Sequence, residues 1–373
     1  MKKLHWYIIK EMLPSFFVGL GFFTFIFILN PILRLVDLII VKHVDFFTVL
    51  KLFLFLLPST IAIVIPMATL VAVLMAFGRL SSDTEVVAMK ACGVSYYHIF
   101  LPVILFALFM SISGYVFNDS ILPWGNYAFK QLYKEIVQKK PLAEIDEHTL
   151  TQIGYRKVGI DRIDKKNDIM YGIVIFEEDS TTGGVKTISA KTGKWITSTE
   201  KKISQNQMLH VMRLQLNDGI IQQPSVNNLD EFSNIPFKKM IINFTEIIDY
   251  FTDVEKGSRE KTTKEIMAEI KSTQASGAKP HKLWVEFHKR FSIPFAALAF
   301  VLLGAPLGII SKRSGKSVAL GESIVIIILY YLLYTLGESL GREGKLDALL
   351  ALWIPNVLFS LAGIGYIYRI SKT

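Results

Sequence analysis

Charged side chains are almost absent from six long stretches of this 373-residue chain. Five of the stretches contain no Asp, Glu, Lys, Arg or His, and the other contains only Glu322. The stretches are residues 12–33, 52–78, 99–118, 291–311, 317–337 and 348–368. About 20 helical residues cross a hydrocarbon core of about 30 Å, whereas a soluble helix needs a polar face for water. The sequence therefore predicts six transmembrane helices.

Cysteine is nearly absent, and so are catalytic motifs. Cys92 is the only cysteine, which excludes an intramolecular disulfide and any C-x-x-C redox or metal site. The polar centre of the chain contains neither G-x-S-x-G nor H-E-x-x-H, and no complete G-x-x-x-x-G-K-[ST] occurs in the chain. We expect no enzymatic activity, no nucleotide site, no metal and no cofactor.

The net charge of +9 invites a nucleic-acid hypothesis, but the distribution of the basic residues opposes it. They are scattered and lie beside the apolar stretches, as is typical of residues that flank a membrane. We expect no nucleic-acid partner.

The six stretches are divided three and three by a polar block of roughly 160 residues, which predicts two membrane segments and one inserted soluble domain. Short β-rich runs recur in the block, at residues 149–155, 168–176, 185–190, 194–199, 208–216, 219–222 and 237–244, with a turn expected at Asn217-Asp218-Gly219. A short surface helix is expected at 262–274. The predicted fold class is six transmembrane helices, 3+3, around an inserted all-β, jelly-roll-like domain, with boundaries 1–118, 119–282 and 283–373.

The short loops set the expected orientation, because basic residues accumulate on the cytoplasmic side. On the side of the termini they are Lys2, Lys3, Lys10, Arg79, Lys90, Lys312, Arg313, Lys316, Arg369 and Lys372. The opposite short loops hold Arg34, Lys42, Lys51, Arg342 and Lys345. Both termini are therefore expected in the cytoplasm, and the polar block outside it.

The loop between the second and third stretches predicts a short cytoplasmic helix at about 82–93. Ser82-Asp83-Thr84-Glu85 fits a capping box, and Gly93 is placed to end the helix. One hypothesis is a simple interfacial connector. The alternative is a coupling helix that docks into a groove of an ATPase subunit, with an apolar knob and Glu85 facing a basic partner residue.

This loop and two later segments resemble the permeases of the lipopolysaccharide export system, the LptF/LptG (YjgP/YjgQ) family. The segments that carry the resemblance are Ile65-Pro66-Met67-Ala68, residues 78–95, residues 285–295 with 303–308, and Gly344-Lys345-Leu346-Asp347 with Trp353-Ile354-Pro355-Asn356. The resemblance covers all six spans, whereas the polar block matches in length and β character rather than in motifs.

The resemblance implies a transport function and a set of partners. Members of the family form a heterodimer of two related permeases on a cytoplasmic ATPase dimer, in the inner membrane. They extract lipopolysaccharide and pass it from periplasmic jelly-roll domains to a periplasmic bridge protein of similar fold. For this chain the expected ATPase-coupling residues are Glu85, Val86, Met89 and Arg79.

Arg34 lies where the first span is expected to meet the periplasm. It is either an interfacial anchor or a contact to the phosphorylated headgroup of the lipid, since Arg binds phosphate in bidentate fashion. Lys42 and Lys51 are expected to extend the same positive rim.

Two other classes of membrane protein stay open at this point. A secondary transporter would usually show internal repeats and several charges at mid-membrane, which this sequence lacks. A non-transporting receptor or assembly factor with a periplasmic β-domain would need no coupling helix.

Overall fold

The computed structural model describes residues 2–40, 44–139, 148–153, 156–164, 169–178, 185–204, 207–225, 228–248, 256–310 and 316–372. Six of its helices are long and apolar enough to cross a membrane, as the sequence predicts. The helices are α1 (Lys2–Ile40), α2 (Phe46–Ser82), α3 (Glu85–Ala91), α4 (Tyr96–Val116), α5 (Leu122–Lys139), α6 (Thr263–Ala275), α7 (His281–Ile310), α8 (Lys316–Arg342) and α9 (Ala348–Lys372). A π-helical turn, Phe117–Ile121, joins α4 to α5, so the third spanning helix continues to Ile136.

The chain divides into two compact units. The helical unit comprises Met1–Arg34, Leu50–Phe129 and Lys256–Thr373. The second unit comprises Leu35–Val49 and Lys130–Glu255, and it contains the sheet.

Glycines allow close helix crossings in the helical unit. A Cβ atom added at Gly363 of α9 would lie 2.4 Å from the carbonyl carbon of Leu302 in α7, and one at Gly308 of α7 would lie 2.8 Å from Cβ of Phe77 in α2. Since the hydrophobic effect does not drive helices together inside a bilayer, such close backbone packing contributes much of their association. The crossings of α7 with α9 and with α2 therefore form at glycines.

A polar cluster joins α6 to the membrane helices. The carboxylate of Asp119, in the π-helical turn, accepts a hydrogen bond from the backbone N–H of Thr263 at 2.7 Å and lies 3.3 Å from the guanidinium of buried Arg290 on α7. Arg290 also donates to the carbonyl oxygens of Ser258 and Lys261. The first turn of α6 is therefore fixed to the π-helical turn after α4 and, through Arg290, to α7.

The predicted surface helix is confirmed as α6, and a capping box begins it. Thr262 and Glu265 form a capping box, in which each side chain accepts a hydrogen bond from the backbone N–H of the other. The hydrogen bond from Lys256, together with the N–H of Thr262, lowers the pKa of the Glu265 carboxyl to about 2. The carboxylate is therefore ionised at neutral pH, the form that caps the helix.

The second unit contains one antiparallel sheet in which each strand pairs with its neighbours in sequence. Its strands are β1 (Leu150–Ile153), β2 (Arg156–Asp164), β3 (Ile169–Glu178), β4 (Val185–Ser204), β5 (Gln207–Ser225) and β6 (Asn228–Ile248). Inward-facing aliphatic side chains such as Val158, Ile160, Ile173, Ile175 and Leu214 build its core. The predicted combination of six membrane helices and an inserted β-domain is confirmed.

The strands are longer than the β-rich runs suggest. The runs at 185–190 and 194–199 are parts of β4, and those at 208–216 and 219–222 are parts of β5. The turn expected at Asn217-Asp218-Gly219 is wrong, because β5 continues through it: Asn217 pairs with Thr192 and Gly219 pairs with Ala190. Asp218 has a φ of 52°, which Asp tolerates better than most residues. Residues 154, 155 and 168 of the expected runs lie outside the described part of the chain.

Candidate functional site

The predicted short helix between α2 and α4 is present, but it begins at a different residue from the one predicted. Helix α2 extends to Ser82, and the seven-residue α3 begins at Glu85. Thr84, the residue before it, has a φ of 59° and its side chain makes no capping hydrogen bond. The predicted capping box at Ser82–Glu85 is therefore wrong: Ser82 is the last residue of α2, and its hydroxyl donates to the carbonyl of Arg79, so it is not the N-cap of α3.

The end of α3 agrees with the prediction. Gly93 has a φ of 82°, and its N–H donates to the carbonyl of Lys90 at 2.9 Å. The N–H of Val94 donates to the carbonyl of Met89 at 3.0 Å. This pair of hydrogen bonds is the Schellman motif, which satisfies carbonyls at a helix end and requires a left-handed residue such as glycine.

The two sides of α3 differ in burial. Val86 is only 3% exposed and belongs to the buried cluster that includes Ile8, Met12 and Leu80, and Met89 packs against that cluster. Val86 and Met89 therefore attach α3 to the helical unit instead of lying on its surface. Sequence spacing alone does not show which side of so short a helix is buried.

The opposite side of α3 is exposed, small and apolar. It consists of Val87, Ala88 and Ala91, which we call the outer face of α3, and the side chain of Val87 is 65% exposed. Ala91 is four residues after Val87 and three after Ala88, so the three positions share one helical surface. Val87 was not among the coupling residues expected from the sequence, although its apolar side chain next to Val86 is a signal for it.

Glu85 and Arg79 are brought together, and two residues of α1 join them. The phenolic oxygen of Tyr7 lies 2.8 and 3.0 Å from the two carboxylate oxygens of Glu85, and Nη2 of Arg79 donates to it at 2.9 Å. Nε of Arg79 lies 2.8 Å from a carboxylate oxygen of Glu11, and its Nη2 lies 3.7 Å from Glu85. We call Tyr7, Glu11, Arg79 and Glu85 the α1–α3 polar cluster.

The polar cluster leaves Glu85 partly accessible. Its side chain is 31% exposed, so its carboxylate can still meet a cation from another protein. The signal for Tyr7 and Glu11 was present in the sequence, because they are one helical turn apart at the N-terminal end of the first span. The length of α1 beyond the apolar stretch shows that this part is helical as well.

The expected headgroup residues lie at helix ends. Arg34 is exposed near the end of α1, and Lys51 is exposed in the second turn of α2. Lys42 lies outside the described residues. In the ranges that the structure describes, no group of three or more His, Cys, Asp or Glu residues could hold a metal ion.

Six spanning helices, an inserted antiparallel sheet and a short connector helix with an apolar outer face define a polytopic membrane protein with an inserted β-domain. The family model for the lipopolysaccharide export system permeases LptF/LptG matches residues 6–369. The chain belongs to this family, which confirms the resemblance found in the sequence. It is an integral membrane protein.

Individual relatives show how far the similarity extends. The chain is 20% identical over 363 residues to the lipopolysaccharide export system permease protein LptF of Escherichia coli (strain K12), which covers 95% of this chain and 91% of that protein. The same values hold for LptF of Shigella flexneri. An uncharacterized protein of Rickettsia prowazekii (strain Madrid E) is 29% identical over 175 residues, 46% of this chain and 47% of its own length.

Proposed function

We propose that this chain is a permease subunit of an ATP-driven transporter that extracts lipopolysaccharide from the inner membrane and delivers it toward the outer membrane. The observation that carries the proposal is the family match over residues 6–369, which includes the membrane helices and the inserted sheet together. The excess of basic residues in the loops on the side of the termini supports an inner-membrane orientation with both termini cytoplasmic. The periplasmic domain then spans 119–282, between membrane segments 1–118 and 283–373.

The energy source in this proposal is a separate cytoplasmic ATPase dimer. The sequence contains no complete P-loop, so the chain needs a partner to use ATP. The outer face of α3 suits such a partner, because small apolar residues let a rigid helix sit closely in a groove. Glu85 at the edge of that face offers a carboxylate to a basic residue of the partner. Val86, Met89 and Arg79 act indirectly, by fixing α3 to the helical unit.

The other proposed partners follow from the family. A second, related permease completes a heterodimer, and a periplasmic bridge protein with a jelly-roll fold receives the lipid. Lipopolysaccharide carries several acyl chains, and each buried CH₂ is worth about 0.8 kcal/mol, so the lipid needs a sheltered route through the periplasm. A jelly-roll-like β-domain whose aliphatic core opens to the lipid would supply one.

Arg34, Lys42 and Lys51 are the proposed contacts to the lipid headgroup. Arg34 and Lys51 are exposed at helix ends, where their cations can reach phosphate groups without leaving water entirely. The guanidinium of Arg34 can bind a phosphate in bidentate fashion, whereas a lysine acts as a point charge.

Co-purification tests the ATPase proposal. In the wild type we expect a cytoplasmic ATPase to remain bound to the permease in mild detergent. Val87→Asp places a charge on the apolar outer face and should release the ATPase, whereas Val87→Ala keeps the face apolar and should retain it. Glu85→Lys should also weaken the complex, because it opposes like charges in a partly desolvated contact.

The same experiment separates the proposal from its alternatives. Insertion of each variant in the membrane is checked first. Loss of the ATPase from Val87→Asp then reports on docking, because Val87 lies outside the α1–α3 polar cluster, whereas Glu85→Lys also places a second cation beside Arg79. Retention of the ATPase by Val87→Asp and Glu85→Lys would remove the docking role from α3. A wild-type permease that binds no ATPase would favour a secondary transporter or an assembly factor instead.

A further inference from the structure

The α1–α3 polar cluster contains side chains from three helices. Tyr7 and Glu11 are one turn apart on α1, Arg79 is in the last turn of α2, and Glu85 is the first residue of α3. The ion pair of Glu11 with Arg79 and the hydrogen bonds of Tyr7 with Arg79 and Glu85 form one continuous chain of contacts.

We propose that Tyr7 is a positioning residue that transmits the movement of α3 to α1. The proposal rests on the proposed function, in which the ATPase moves α3. The hydroxyl of Tyr7 accepts from Arg79 and donates to Glu85, so the two hydrogen bonds polarise each other. Through this hydroxyl the carboxylate of α3 is tied directly to α1, in addition to its link with α2.

The packing beside the cluster supports rigid transmission. Ile8 and Met12 of α1 are fully buried, and Val86 of α3 belongs to the same apolar cluster. Since a close-packed interior resists compression, α1 and α3 cannot slide past each other without breaking these contacts. The hydrogen bonds of the polar cluster also fix the position of α3 along α1, because hydrogen bonds depend on the angle and distance between donor and acceptor.

Helix α1 extends from the polar cluster to the proposed headgroup site. It is continuous from Lys2 to Ile40, and at about 1.5 Å per residue Tyr7 and Arg34 are roughly 40 Å apart along it. Both residues belong to the helical unit. A shift of α3 that pulls on Tyr7 therefore reaches the part of α1 that carries Arg34. In this way nucleotide-driven motion would reach the end of α1 at which Arg34 is proposed to bind the lipid headgroup.

The charge of the cluster is compatible with ATPase docking at the same place. Its four side chains contribute two carboxylates, one guanidinium and one neutral hydroxyl. A basic residue of the partner at Glu85 would balance the second carboxylate, and one carboxylate can accept hydrogen bonds from that residue and from Tyr7 at the same time. Docking would then leave the bond from Tyr7 in place.

Tyr7→Phe tests the inference, because it removes only the hydroxyl. The complete complex with its ATPase is reconstituted in lipid vesicles, and both ATP hydrolysis and lipopolysaccharide release are measured. We expect the ATPase to stay bound, hydrolysis to continue and the lipid released per ATP to fall about ten-fold, the factor that one hydrogen bond to a charged group is worth. Tyr366→Phe, on an exposed tyrosine of α9, is the matched control and should leave that ratio unchanged.

The outcomes distinguish this inference from the proposed function. A Tyr7→Phe complex with a wild-type ratio of lipid to ATP overturns the inference and leaves the proposed function intact. Loss of the ATPase from Tyr7→Phe also overturns it, because Tyr7 would then support docking instead of transmission. If the wild-type complex itself releases no lipid on ATP hydrolysis, the proposed function fails, and the inference fails with it.

Discussion

At the scale of single residues, neighbours in sequence have opposite environments in α3. Val86 is buried among residues of α1, α2 and α4, whereas Val87 is exposed. Residue type could not separate them, because both are valines. Only the position of α3 against the helical unit decides which valine faces the interior, and that position depends on contacts across many residues of sequence, such as Tyr7 with Glu85.

Arg34 could be proposed as a headgroup contact from the sequence alone, because a basic residue at the end of an apolar span is a local feature. Arg34→Glu should weaken lipopolysaccharide binding about ten-fold or more, since reversal of the charge repels phosphate and a charged hydrogen bond is worth about 1.5–3 kcal/mol. Arg34→Lys keeps the charge and should lose less. Photo-crosslinking of the lipid to α1 measures the effect. Equal crosslinking in all three proteins would leave Arg34 as a membrane anchor only.

At the scale of elements, the sequence predicts the existence of a helix or strand better than it predicts where the element begins and ends. The spanning helices are set by composition, so their existence could be predicted. Helix and strand ends depend on backbone geometry, and there the sequence was less informative. The capping signature at Ser82–Glu85 does not cap α3, whereas the one at Thr262–Glu265 caps α6. Strand β2 was missed, because its polar residues interrupt the apolar alternation.

Two glycines of α9 offer a matched test of the crossing with α7. A Cβ at Gly363 would collide with the backbone of Leu302, whereas a Cβ at Gly365 would meet nothing within 4 Å. Both substitutions by Ala improve helix propensity equally, so their difference isolates the collision. We expect Gly363→Ala to lower the melting temperature in detergent, by the equivalent of about 1–3 kcal/mol, and Gly365→Ala not to lower it. Equal melting temperatures for the two variants would contradict the close crossing.

At the scale of the whole molecule, hydropathy and length predicted the division into membrane helices and an inserted β-domain. Both properties are sums over many residues, so errors at single positions cancel. How the chain divides into compact units was harder to predict. The first part of α5 and all of α6 belong to the helical unit, because contacts such as Asp119 with Thr263 join segments that are distant in sequence.

The native Cys92 allows the proposed orientation to be tested without introducing a cysteine into the loop between α2 and α4. Cys92 is exposed directly after α3. A membrane-impermeant thiol reagent should not label it in intact spheroplasts and should label it after permeabilisation. In a Cys92→Ser background, Leu150→Cys, at an exposed position of β1, should show labelling in intact spheroplasts. Labelling of Cys92 from outside would show that the orientation is the reverse of the proposed one, and that a cytoplasmic ATPase could not reach α3.

ATP-dependent transfer of lipopolysaccharide by the reconstituted complex is the most direct test of the proposed transport function. Vesicles hold this chain with the proposed second permease and the proposed ATPase, and the proposed soluble bridge protein outside receives the lipid. We predict transfer that requires ATP and that stops when Val87→Asp or Glu85→Lys replaces the wild type. Transfer that proceeds equally without ATP, or that follows an ion gradient instead, would contradict it.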